Sequence, residues 1–259
     1  MLRRLLQGWH VRREEAALRR RPIADDLWKR TLVRYPFLRD PADPGAAALR
    51  RMTSLFLDRK EFSAVPPLRL TNDVAVAVAA QACLPVLQLG LDRYDGFVGI
   101  VLQPDAVTVR REHLDDDGVL HEYDEVLSGE AVQGGPVMLS WRDVRGSGRS
   151  AAEGYNVVIH EFAHVLDMAD GIADGVPLLP PEIDRGTWTA TLHDEYERFA
   201  ARVDAGEDTA LDPYAAHAPE EFFAVASEAF FVNPALLRRE HPAFDALLQR
   251  FYRRPAATA

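Results

Sequence analysis

His160-Glu161-Phe162-Ala163-His164 reads HExxH, and its flanks, Val157-Val158-Ile159 before and Val165-Leu166 after, are apolar, as in a helix with a buried face. Four helical residues bring the chain back to within about 40° of its starting direction, so His160 and His164 lie one turn apart on one face. Two imidazoles so placed can reach a single zinc ion at about 2.0–2.1 Å. Glu161 stands beside them, where a carboxylate can take a proton from a metal-held water. Polar groups removed from water without partners are costly, so a buried helix carrying these three needs something to satisfy them. The expectation is a zinc hydrolase with His160 and His164 as metal ligands and Glu161 as general base.

The rest of the composition narrows the setting. A hydrophobic share of 47% and a charged share of 27% over 259 residues are ordinary for a globular protein with a sizeable core. The formal net charge of −10 argues against nucleic acid as a direct partner. One cysteine, Cys83, excludes an internal disulfide framework and suits a reducing compartment. The first ten residues carry positive charge but no apolar run of signal-peptide length, and no segment approaches the roughly 20 apolar residues of a membrane span. Arginines at 3, 4, 12, 13 and 19–21 read as a solvated leading segment rather than an anionic-surface binder. A cytoplasmic, monomeric protein with no membrane contact is expected.

Along the chain, Ala24–Val33 and Gly45–Lys60 have helical spacing, with Tyr35-Pro36 breaking between them. Thr71-Asn72-Asp73 offers caps for an apolar helix running towards Cys83. Phe97–Leu102, Ala106–Arg111, Val119–Tyr123 and Val137–Trp141 are short, β-branched or aromatic, and separated by turn residues, as strands are. The helical period returns after Gly154, stops near Asp170-Gly171, and resumes around Gly186–Val203, Pro219–Val232 and Pro242–Tyr252. The expected fold is α+β: a zincin-like metalloprotease domain with a small, mostly antiparallel sheet against the HExxH helix, flanked by N- and C-terminal helices. Residues 1–259 form one domain in this reading, with 1–70 helical, 71–150 an apolar helix and sheet, and 151–259 the metal-site helices. Val137–Trp141 is either an edge strand able to pair with an extended peptide or an interior strand.

A catalytic zinc site needs a third protein ligand and an open position. One class of zinc protease finds it six residues after the second histidine, behind a glycine. Here those positions hold Asp170 and Asp167, and without the glycine that arrangement fits poorly. The stretch Pro219–Val232 offers Glu221 and Glu228, on one helix face but about 10 Å apart along the axis, so only one can bind the same ion. Spacing alone does not choose between them.

Gly154–Asp167, Asp212-Pro-Tyr-Ala-Ala216 and Glu221–Phe231 together resemble the Mlc titration factor A family of zinc peptidases. Arg21-Pro-Ile23 near Trp28, Tyr35–Leu38, Ala80–Val86 and Glu122–Glu130 fit the same pattern, so the resemblance covers nearly the whole chain. It implies a bacterial cytosolic protein with a catalytic core similar to anthrax lethal factor, Glu221 as third zinc ligand, and Tyr214 as a catalytic hydrogen-bond donor facing the substrate. Glu228 then supports or packs. The resemblance further implies peptide substrates, a preference for the amino end of small ones, and a second partner, the DNA-binding repressor Mlc, through which sugar uptake is regulated. A regulatory protein that sequesters such a repressor is therefore the alternative to the enzyme, and HExxH alone also permits hydrolysis of a non-peptide amide. On spacing, Asp167 either orients an imidazole or is solvated at the helix end, Tyr214 is otherwise a packed loop tyrosine, and His113, His121, His193 and His217 carry no signal.

Overall fold

Caps and prolines set the element boundaries in the computed structural model, which describes residues 12–39, 46–114 and 120–252. Arg3, Arg4, Gly45 and Val119, which figure in the expectations above, lie outside them. The helical N-terminal part comprises α1 (residues 12–20), α2 (Asp25–Arg34) and α3 (Ala46–Arg59), followed by β1 (Glu61–Ala64) and α4 (Asn72–Cys83). The strands β2 (Gly99–Gln103), β3 (Val107–Leu114), β4 (Leu120–Leu127), β5 (Gly129–Ala131) and β6 (Val137–Ser140) come next. After α5 (Trp141–Ser150) come α6 (Val157–Asp167), α7 (Arg185–Asp204), α8 (Pro219–Val232), α9 (Pro234–Glu240) and α10 (Pro242–Tyr252). The last three each open on proline, whose missing N–H costs nothing at the first helical position. Thr71 caps α4 by accepting from the Val74 N–H at 3.3 Å, and Asn156 caps α6 by accepting from Ile159 at 3.0 Å. Among the described residues no helix is long and apolar enough to cross a membrane.

The α+β expectation holds, but the sheet is not mostly antiparallel. Its order is β1-β2-β6-β5, with β1–β2 and β2–β6 parallel and only β5–β6 antiparallel. Parallel neighbours require a crossover, and α4, buried along nearly its whole length, lies between β1 and β2 in the chain. Strands β3 and β4 form a separate antiparallel pair. Strand β6 is interior; the edges are β1 and, beside β6, β5, a three-residue strand that composition does not announce. The helix α5, not among the expected elements, forms in spite of Gly146 and Gly148, residues of low helix propensity. At Gly148 a Cβ would run into the Arg34 carbonyl oxygen, so the glycine there is a packing requirement where α5 meets the end of α2.

The metal-motif helix α6 is wedged between two apolar groups. Phe162, fully buried, meets Tyr94, Phe97 and Phe56 at centroid distances of 4.9, 5.4 and 5.8 Å. On the other side lies α8, whose Phe222, Phe223 and Phe230 are fully buried. Phe223 packs edge-on against Trp188 of α7. The far end of α6 is held by Asp167, which is fully buried rather than solvated. Asp167 Oδ2 accepts from the Gly175 N–H at 2.9 Å, and the Gly175 carbonyl accepts from Trp188 Nε1 at 2.9 Å. Gly175 has φ +76°, and a Cβ there would lie 2.8 Å from Leu192 Cδ2, so glycine is required where the loop docks on α7.

Two outcomes follow for stability. Phe162→Ala is expected to cost about 3–5 kcal/mol of unfolding free energy, read from urea titration, since the cluster around it cannot collapse into the cavity. Burial pushes the Asp167 carboxyl up to about 7, against the pull of the Gly175 N–H and His164. An unfolded aspartate loses its proton near 3.9, so the stabilisation from this neutral group is complete below about pH 4 and is lost as pH rises towards 7. Asp167→Asn keeps the acceptor for Gly175 without the titration. The urea midpoint of metal-free wild type is expected to fall relative to that variant between pH 4.5 and 7.

Candidate metal centre

Helices α6 and α8 cross with their polar residues facing each other. Glu221 lies in the first turn of α8, at the positive end of the helix, where a carboxylate is favoured. Its Oε2 sits 3.2 Å from His160 Nε2 and 3.4 Å from His164 Nε2, and the two nitrogens are 3.2 Å apart. Ligands about 2.0–2.1 Å from a common tetrahedral ion lie about 3.3–3.4 Å from one another. The three atoms therefore fit around one metal ion. Glu221 Oε2 is buried and has no hydrogen-bond partner, an arrangement that a cation between the three atoms resolves. Burial raises the Glu221 carboxyl, but His160 and His164 more than reverse this and hold it well below the usual range. These three residues are the group able to hold a metal ion among the described residues.

Glu228, the other carboxylate left open by spacing, is not in this cluster. Its Oε1 lies 2.7 Å from His160 Nδ1, on the opposite side of the ring. The imidazole-orienting place considered for Asp167 is thus held by Glu228 at His160, while Asp167 anchors the loop at Gly175.

Glu161 is buried at 5% exposure beside the ligands. Burial pushes its carboxyl up, against the opposing charges of His160 and His164. A position that sequence reasoning missed governs it: a Cβ at Gly129 of β5 would lie 2.6 and 2.7 Å from Glu161 Cγ and Cδ. Only glycine leaves the Glu161 side chain where it stands. Beside His160 lies a cavity of about 300 Å³, whose lining includes His160, Glu161, Tyr214, Tyr155, Val157 and Val225. Tyr214, 37% exposed, is placed by the turn Pro213–Ala216, where the Asp212 carboxylate accepts from the Tyr214 N–H at 2.9 Å. Its ring centre is 6.1 Å from that of His160.

His217 Nδ1 lies 2.9 Å from the Tyr214 carbonyl oxygen, so this histidine steadies the turn, a role that spacing did not signal. His193 is exposed on α7. The backbones of His113 and His121 pair across β3–β4, and their side chains lie outside the described structure.

Residues 8–253 match the family described as glucose-regulated metallo-peptidase M90. The chain is 37% identical over 224 residues to Mlc titration factor A of Pectobacterium atrosepticum, covering 85% of this chain and 83% of that one. It is 39% identical over 231 residues to Mlc titration factor A of Klebsiella pneumoniae, covering 88% of this chain and 84% of the relative. A Synechocystis protein of unassigned function is 34% identical over 240 residues, 92% of this chain and 87% of its own length. With the match running nearly end to end and a three-residue cluster able to hold a metal ion at its centre, the chain belongs to the M90 family of metallopeptidases.

Proposed function

We propose that this chain is a zinc-dependent peptidase in which His160, His164 and Glu221 hold the ion, Glu161 is the general base and Tyr214 assists at the carbonyl. The observation that carries this reading is a cluster of three candidate ligands, joined by no fourth among the described residues, beside a cavity that His160 and Glu161 line. Closed four-ligand sites are structural, whereas three ligands and an open position are the arrangement of catalytic zinc. Two imidazoles and a carboxylate suit zinc among the common divalent ions.

When bound, the ion supplies Lewis acidity and lowers the pKa of water at the open position. Glu161, its carboxyl raised by burial, is suited to accept that proton near neutral pH and to return it to the leaving amine. The Tyr214 hydroxyl donates to the carbonyl oxygen as negative charge develops there. Edge strand β5 offers backbone pairing to the substrate. Ser128 and Val132 pair with β6, so in the alternating ladder the backbone groups of Gly129 and Ala131 face outward. An extended peptide added at that edge passes directly over Glu161.

The resemblance narrows the substrates to small peptides cut near the amino end. The name of the relatives, Mlc titration factor A, supports a second reading: this chain binds an Mlc-like repressor and thereby regulates sugar uptake, the metal site setting its shape. Glu161→Gln separates the two. It is expected to keep its zinc but lose about 10²–10⁴-fold in hydrolysis, measured by mass spectrometry on an unbiased peptide library, while repressor binding is retained. A wild type that cuts nothing when zinc-loaded would favour the regulatory reading. Gly129→Ala is expected to push the Glu161 carboxylate aside. Its kcat should fall about 10²-fold at unchanged zinc content, read by metal analysis alongside peptide turnover.

A further inference from the structure

The side of His160 that faces away from the ligand cluster carries a buried polar chain that the proposed peptidase mechanism leaves unused. Glu228, at 1% exposure, sits on α8 two turns beyond Glu221. Its Oε1 lies 2.7 Å from His160 Nδ1, and its Oε2 accepts from the Asn156 backbone N–H. Asn156, fully buried, caps α6 through Oδ1 and donates from Nδ2 to Gln81 Oε1 at 2.9 Å. Gln81, also fully buried, is tied into α4 by donating to the Ala77 carbonyl at 3.0 Å. Helices α4, α6 and α8 thus meet in one hydrogen-bonded line that ends on a metal ligand.

An ionised carboxylate only accepts hydrogen bonds. The nitrogen 2.7 Å from Glu228 therefore carries the proton, and the other nitrogen of the ring presents its lone pair. The positive end of α6 and the Asn156 N–H act in favour of a charge at this place, against the cost of burial. We propose that Glu228 and Asn156 are positioning residues of the metal centre: together they hold the His160 proton on Nδ1 and keep Nε2 turned towards Glu221 and His164. This rests on the metal-centre reading above and adds a role for residues outside the ligand set. Orientation of a metal-bound histidine by a carboxylate commonly changes metal affinity about 10–100-fold. Glutamine at 228 cannot replace it, because an amide offers one acceptor oxygen to two N–H donors and turns its NH₂ towards the second.

The test is zinc affinity of the full chain, measured by competition with a chromophoric chelator, for wild type and Glu228→Gln. Loss of about 10–100-fold is expected, with unchanged far-ultraviolet circular dichroism. A folded Glu228→Gln that binds zinc within about twofold of wild type would overturn the proposal, since losing a partner that orients a ligand commonly costs about tenfold or more. Nitrogen NMR of histidine-labelled, zinc-loaded wild type gives a readout that needs no variant. It should show the His160 proton on Nδ1 and the metal on Nε2, and the reverse tautomer would refute the assignment. A wild type that binds no zinc would overturn the metal centre itself, and this inference with it; hydrolysis need not be observed for any arm to decide.

Discussion

Two imidazole nitrogens and a carboxylate oxygen, 3.2–3.4 Å apart and largely shielded from water, are the constraint around which this molecule is built. Three lone pairs facing one another repel unless a positive charge lies between them. Without a metal, a proton is the available charge. Burial lowers His160, but the carboxylates of Glu228 and Glu221 outweigh it and raise this imidazole well above its ordinary range, while Glu221 is held down. A divalent ion held there would replace that proton with a larger charge, releasing a proton and supporting the fold at once. In the proposed metal centre the cluster is in this sense a folding element as well as a site.

The same electrostatics divide the carboxylates. Glu221 and Glu161 sit next to the same histidines, yet one is held down and the other is raised. The difference is position: Glu221 faces the ring nitrogens directly, whereas Glu161 points towards β5, where burial dominates. In the proposed peptidase mechanism this opposition matches a division between ligand, Glu221, and proton carrier, Glu161. That division depends on the missing side chain of Gly129, because any larger residue would compete with Glu161 for the same space.

Helices are legible in the sequence where capping, proline and apolar spacing agree. Pro219–Val232 and Pro242–Tyr252 have the bounds read from the chain, and His160 and His164 fall on one face of α6. Non-local relations are hidden. Strand direction depends on the path of α4 and not on the strand residues, so nothing local separates the parallel pairs from the antiparallel ones expected. Gly148 resembles a helix breaker until the Arg34 carbonyl lies against it, and Gly129 resembles a turn until Glu161 does. Glu221 and Glu228 have similar local surroundings in the chain. Seven residues of helix put them near opposite nitrogens of one imidazole, a distinction that exists only once α6 and α8 have packed.

Edge strand β5 carries a consequence for recognition. An exposed edge invites unwanted pairing, and a short one limits it; here the strand is only Gly129–Ala131. The outward backbone groups of Gly129 and Ala131 can register an extended chain over the centre but read nothing of its side chains. Gly129 has no side chain to read them with either, since Glu161 fills that place. In the proposed peptidase, discrimination between peptides would then fall to the cavity whose lining includes Tyr155, Val157 and Val225. Its lining residues include the carboxylates of Glu161, Asp212 and Glu228 and no lysine or arginine. Glu228 is already engaged by the Asn156 N–H and by His160 Nδ1, so it offers an entering side chain no ready ion pair. An apolar side chain meets complementary walls there, and an acidic one meets like charge.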